Sequence, residues 1–250
     1  MRRLSIASLT LGIALAAAAP AAAFDPAAMS DAERASFNAA IRDYLLRNPE
    51  VLVEAINVLD ARQAASAEAN DKALVATYAE ALFDDGYSWV GGNPDGDVTL
   101  VEFVDYRCGY CRQAHAEVAE LVASDGNIRF IIKEFPILGP ESDLSSRFAI
   151  ALRQMAGDAV YKQAHDKLIT LRGTANAESL GRIAQDLGQD PTAVLARMNE
   201  PSVSAVIEAN HALASQMQIS GTPTFVVGGQ MLRGYLPLAG MRQVVADERG

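Results

Sequence analysis

The apolar positions change period along the chain. From Met29 to about Phe83 they fall at helical steps: Ile41, Leu45, Leu52, Ile56 and Leu59 make one stripe, widened by Val51 and Val58. Asn48-Pro49 interrupts it, and the pair predicts a second helix opened by Pro49 and capped by Asn48, since proline tolerates the first helical position. Ala61 to Ala73 is alanine-rich and polar with no apolar face, as expected of a solvated helical spacer. Leu74, Tyr78 and Leu82 resume a weaker stripe, which Asp84-Asp85-Gly86 ends. The stripe is shorter than the three or four heptads of a long coiled coil. It predicts a small helical oligomerisation element, with packing onto the rest of the chain as the alternative.

The period then shortens. Gly91 to Gly96 is a turn-rich boundary, and Val98 to Val104 (VTLVEFV) is a near-continuous β-branched run, as a strand buried on both faces should be. Gln113 to Ala123 reads as helix and Ile128 to Ile132 as a second buried strand, which makes a βαβ unit. A long helical stretch runs from Ser142 to about Met217, broken at Gly173, at Gly188 to Pro191 and at Glu200-Pro201. Thr224 to Val227, Gly228-Gly229 and Gln230 to Arg233 predict a β-hairpin, and Pro237 to Asp247 a closing helix. The expected class is α/β: the thioredoxin arrangement βαβ…ββα, with a helical insertion at about residues 140–218.

The first residues read as an export signal. Arg2 and Arg3 precede an apolar run, Leu9 to Ala19, too short to span a bilayer, and Ala21-Ala22-Ala23 offers a small-residue cleavage site before Phe24. The expected organisation is a signal peptide over 1–23, a helical region and linker over 24–85, and the main domain over 86–250. No cysteine near the cleavage point would take a lipid, and no later segment reads as membrane-spanning. The expected address is the periplasm. The net charge of −10 becomes about −12 once Arg2 and Arg3 are removed, which disfavours nucleic acid and anionic membranes as partners.

Cysteine usage points to chemistry. The chain has 2 cysteines, Cys108 and Cys111. A structural disulfide works mainly by closing a long loop in the unfolded chain, and this pair closes almost none. Cys108-Gly109-Tyr110-Cys111 lies between a predicted buried strand and a helix, so Cys108 falls at a helix amino terminus, where free N–H groups and the helix dipole favour a thiolate. Cys108 is the expected nucleophile and Cys111, one turn on, the resolving thiol. A closed metal site would need more ligands than one such pair, and His115, four residues past Cys111, reads as a helix-surface residue, so no dedicated metal and no cofactor is expected. Capture of cuprous copper by the reduced pair is the alternative use of the thiols.

Two further segments stand out. Ser220-Gly221-Thr222-Pro223-Thr224 precedes a predicted strand, where proline is confined to the first position or an edge. Glu102 lies in mid-strand on the face of Val104, where a carboxylate needs a task or a partner. It could accept and return the Cys111 proton during resolution; the other reading is a strand-end glutamate near solvent.

With these residues in view, the chain resembles the DsbA-like branch of the thioredoxin superfamily over residues 98 to about 245. The match rests on Glu102-Phe103 before the cysteine pair, Lys133-Glu134-Phe135-Pro136-Ile137-Leu138-Gly139 after the second strand, and Gly221-Thr222-Pro223-Thr224. It implies a cis-proline at Pro223 beside the cysteines and a buried glutamate at Glu102. Ile41 to Leu52 looks like the leading domain of the ScsC subgroup, which has Com1-like relatives. That implies a homotrimer in one branch of the subgroup and a monomer in others. Gly109-Tyr110 stands where the oxidase branch has Pro-His, and Thr222 where it has valine, a threonine shared with isomerase-type relatives. Losing two pKa units of thiolate stabilisation would shift the potential toward reducing by at most about 60 mV. The resemblance implies a disulfide oxidoreductase of isomerase or reductase type, with a dithiol oxidase or a copper-binding thiol protein as alternatives. Its implied partners are exported cysteine-containing proteins and a membrane redox protein of the DsbB or DsbD/ScsB type.

Overall fold

The computed structural model describes residues 25–250; the expected signal peptide and its cleavage site lie outside them. The described residues fall into two compact units, the first ending at Asp60 and the second spanning Ala61–Gly250.

In the first unit, α1 (Asp31–Arg47) starts in a capping box, Ser30 accepting from the Glu33 N–H while Glu33 accepts from that of Ser30. The expected helix break at Asn48-Pro49 is present, but its chemistry differs. The Asn48 side-chain amide donates back to the Tyr44 carbonyl at 2.8 Å, so Asn48 closes α1 instead of capping the next helix. The second helix, α2 (Glu50–Thr77), begins after Pro49 and runs through the alanine-rich stretch, so spacer and stripe share one helix. No residue of α1 is buried, and Ile41, Tyr44, Leu52, Ile56 and Leu59 stay 43–56% exposed.

In the second unit, the last turns of α2 and the short α3 (Ala79–Phe83) bring Val75 and Leu82 into the core. The sheet contains β1 (Trp89–Gly92), β2 (Val98–Val104), β3 (Ile128–Glu134), β4 (Thr224–Val227) and β5 (Gln230–Arg233) in the order β1-β3-β2-β4-β5. β2 and β3 are parallel and joined by α4 (Gly109–Asp125), while the β4–β5 hairpin adds antiparallel to β2. Gly228 turns that hairpin at φ +54°, a backbone glycine adopts without cost. The edge strand β1 takes up Gly91 and Gly92, the first two residues of the expected boundary turn. It pairs antiparallel with β3, Trp89 opposite Ile132, and two glycines in a four-residue strand hide its period.

The helical insertion consists of α5 (Pro140–Ala156), α6 (Asp158–Ile169), α7 (Ala177–Asp186), α8 (Pro191–Arg197) and α9 (Pro201–Gln216), and α10 (Leu238–Arg249) closes the chain. A break absent from the sequence reading lies at Gly157, whose φ of +82° separates α5 from α6. Strand alternation sorts the sheet into two faces. Leu100, Val104, Phe130, Ile132 and Phe225 pack with α4, the insertion and α10. Val101, Phe103, Ile131 and Val226 pack with Val75, Leu82, Leu213 and Met217. Glu102 shares the first face, beneath α4.

Candidate active site

β2 ends in the loop Asp105-Tyr106-Arg107, which delivers Cys108 to the N-cap of α4. Asp105 fixes this loop. Fully buried, it accepts from the Arg107 N–H and the Ser142 hydroxyl at 2.7 Å each, and from the Ile137 and Leu138 N–H at 2.8 and 3.0 Å. Arg112 holds the first turn of α4 from outside, donating to the Tyr106 and Leu171 carbonyls.

Both cysteines are free and buried, Cys108 7% exposed and Cys111 0%. The Cys108 thiol donates to the Thr222 carbonyl at 3.1 Å. The bond between Thr222 and Pro223 is cis, as the family resemblance implied. The structure thus brings Cys108, Cys111, Thr222 and Pro223 to one place. Once ionised, the Cys108 sulfur is held chiefly by a hydrogen bond from the Cys111 thiol, against the cost of burial, with Thr222 and the backbone of Cys111 and Tyr110 adding support. Its pKa falls from 9.0 to about 5. Cys111 is driven the other way, by that same hydrogen bond first, then by burial and by the charge of Glu102. One sulfur is a ready nucleophile and the other a guarded thiol.

Glu102 is 3% exposed, so the reading of a strand-end residue near solvent is wrong: it sits in mid-sheet between Val101 and Phe103. Among the described residues no protein group hydrogen-bonds its carboxyl, which instead faces a cavity of about 480 Å³ beside α4. Burial above all, then the charges of Cys108 and Glu134, raises its pKa to about 8.

Sequence reasoning passed over two anchors and misplaced one residue. Glu134 appeared only within a matched segment. In the structure it is a buried hub, accepting from the hydroxyls of Tyr106 and Tyr161 at 2.7 and 2.6 Å and of Ser146 at 2.7 Å. Burial raises its pKa to about 7 against the pull of those three hydroxyls. Asp105 was the other omission; a carboxylate directly between a buried strand and the cysteine pair was its available signal. His115, expected on the helix surface, has a side chain only 22% exposed and packs against the ring of His165 at 5.3 Å. Outside the cysteines, Tyr110 is 61% exposed and stacks on Tyr235 at 6.3 Å.

A thiol pair at a helix N-cap facing a cis-proline loop, on this sheet with this insertion, is a specific combination. The profile of the DSBA-like thioredoxin domain matches residues 99–246. The chain belongs to the DSBA-like thioredoxin family. As a DSBA-like protein it also carries a match to the copper resistance protein ScsC N-terminal domain over residues 33–66. Among solved structures, it is 40% identical to a thioredoxin-like oxidoreductase from Silicibacter pomeroyi, with a TM-score of 0.64 over 68% of this chain and 96% of that one. It is 25% identical to BcfH from Salmonella enterica Typhimurium, with a TM-score of 0.73 over 88% of this chain and 97% of that one. Among curated proteins, 146 residues are 30% identical to the Na(+)/H(+) antiporter NhaA of Herminiimonas arsenicoxydans, 58% of this chain and 23% of that protein. The chain spans about a quarter of the length of the first such relatives it matches. Among the described residues no helix is long and apolar enough to cross a membrane.

Proposed function

We propose that this DSBA-like protein is an exported, periplasmic thiol–disulfide oxidoreductase that rearranges or reduces disulfides in exported proteins. One observation carries the chemistry: a Cys108 thiolate favoured at the N-cap of α4 beside a Cys111 held protonated and fully buried. Cys108 attacks a substrate disulfide. Its S–S bond breaks, a Cys108–substrate disulfide forms, and one substrate sulfur leaves as a thiolate. In isomerisation, a substrate thiolate then attacks that mixed disulfide and Cys108 leaves unchanged, with no net electron transfer. In reduction, Cys111 gives its proton to Glu102 and attacks Cys108, releasing the reduced substrate and leaving the pair oxidised. Thr222 and Pro223 form the wall against which the substrate chain lies. A membrane protein of the DsbD/ScsB type would return the two electrons.

The isomerase preference rests on the exposed apolar stripe of the ScsC-like region. Among the described residues Ile41, Leu52, Ile56 and Leu59 are 43–56% exposed, which supports self-association, the trimer included. A dithiol oxidase supplied by a DsbB-type partner is favoured by one observation of its own. A thiolate near pKa 5 stabilises the reduced pair and so makes the disulfide more oxidising.

The test is recovery of activity from a disulfide-scrambled substrate, with the protein's mass read by light scattering on the same sample. Reshuffling by an oligomer is expected. A monomer that oxidises dithiols but cannot reshuffle would sink the isomerase reading.

A further inference from the structure

We propose that His115, His165 and Asp166 form a binding site for a divalent cation of the zinc class on the flank of the catalytic helix. His115 comes from α4, and His165 and Asp166 from α6. Each offers one ligand atom, and these atoms lie within 4.8 Å of one another. Two imidazoles and a carboxylate suit zinc and its first-row neighbours. The His115 Nε2 to Asp166 Oδ1 distance is 3.3 Å. That is about the ligand–ligand edge of a tetrahedron whose bonds to zinc are roughly 2.0–2.1 Å long.

Hydrogen bonding behind the cluster favours the same reading. Tyr106 Oη lies 2.7 Å from Glu134 Oε1 and 3.1 Å from His165 Nδ1. The phenol has one proton, and the carboxylate takes it. Its oxygen therefore accepts from His165 Nδ1–H, which leaves Nε2 as the lone-pair nitrogen. A ligating histidine is normally held this way, its other nitrogen donating to a fixed acceptor. The site is also reachable. Both imidazoles line the 480 Å³ cavity, so a fourth position would open toward it, while the Asp166 side chain is 43% exposed on the outer side.

Lys162 gives the proposal a sharp sign. Its Nζ lies 2.5 and 2.7 Å from the two Asp166 oxygens, on a side chain 35% exposed. This ammonium competes with a metal for the carboxylate and can swing into solvent when displaced. A purely structural cluster gains nothing from losing it, whereas a metal site does.

The experiment is calorimetric titration of Zn²⁺ into the full mature chain carrying Cys108→Ser and Cys111→Ser, so that the redox thiols contribute no binding. One zinc per chain is expected. His115→Ala should weaken it at least tenfold, and Lys162→Gln should tighten it several-fold. Far-UV circular dichroism on each variant confirms that the fold persists. Absence of zinc binding, binding unchanged in His115→Ala, or weaker binding in Lys162→Gln would each overturn the site. None of these outcomes bears on disulfide exchange.

Discussion

Cys108 Sγ lies 3.1 Å from the carbonyl oxygen of Thr222, a residue 114 positions further along the chain. The two halves of the thioredoxin arrangement, split by five helices of insertion, meet at that contact. A neutral thiol can donate to this oxygen and a thiolate cannot, so ionisation hands the sulfur over to the Cys111 thiol, the Thr222 side chain and the backbone amides of Tyr110 and Cys111.

The reduced protein should therefore show a thiolate absorbance at 240 nm that titrates with a midpoint near 5. In Cys111→Ala the leading donor is gone, and the midpoint should rise. A midpoint near the ordinary thiol value in the parent protein would remove the basis for Cys108 as nucleophile.

The same shift fixes a stability trend. A depressed folded-state pKa stabilises the fold fully above the unfolded value of about 9, and the gain is lost as pH falls through about 5. Unfolding midpoints in urea should show the reduced form losing stability relative to Cys108→Ser between pH 8 and 5. The oxidised pair cannot ionise, so the oxidised form should lack this component.

Glu102 has the opposite sign. Its pKa is raised from 4.5 to about 8, so the folded state resists ionisation that the unfolded chain allows, and stability falls as pH rises across that window. Glu102→Gln should flatten this part of the profile. If Glu102 takes the Cys111 proton, the variant should also slow resolution of a mixed disulfide by about a hundredfold, the lower end of what a positioned base contributes. A flattened profile with unchanged resolution would leave Glu102 with an electrostatic role alone.

Asp105 should prove the most costly single loss near the site. Asp105→Ala removes the buried acceptor for three backbone N–H groups and the buried Ser142 hydroxyl at once. Each orphaned donor costs about 1–3 kcal/mol, so a loss of several kcal/mol is expected in denaturant unfolding, against about 1 kcal/mol for Ser142→Ala.

Placing charge on the stripe tests self-association. If the chain self-associates through the stripe as proposed, Leu52→Asp together with Ile56→Asp should reduce its mass by light scattering to that of a monomer. Disulfide reshuffling should fall while simple dithiol oxidation is kept. An unchanged mass would assign the stripe to another partner.

Much of the molecule was legible in the sequence because each strong signal was local. The β-branched run before Cys108 and the hairpin glycines each fix their own surroundings, whereas the cis bond at Thr222-Pro223 was implied by the family resemblance alone. What was missed depends on distant partners. β1 is a strand because β3 offers it an edge, which two glycines cannot announce. His115 looked like a surface residue because His165 and Asp166 reach it from a helix some fifty positions on. Asn48 could cap either neighbouring helix, and only geometry chose Tyr44 as its acceptor.

The Glu134 hub bears on the modularity of the fold. Tyr161 and Ser146 belong to the insertion, Tyr106 to the loop carrying the cysteines, and Glu134 to the central sheet. Excising the insertion to obtain a minimal thioredoxin would strip a buried carboxylate of two of its three hydroxyls and leave it stranded against apolar neighbours. The insertion is thus wired into the scaffold, and a trimmed version would have to exchange Glu134 for an apolar residue in the same step.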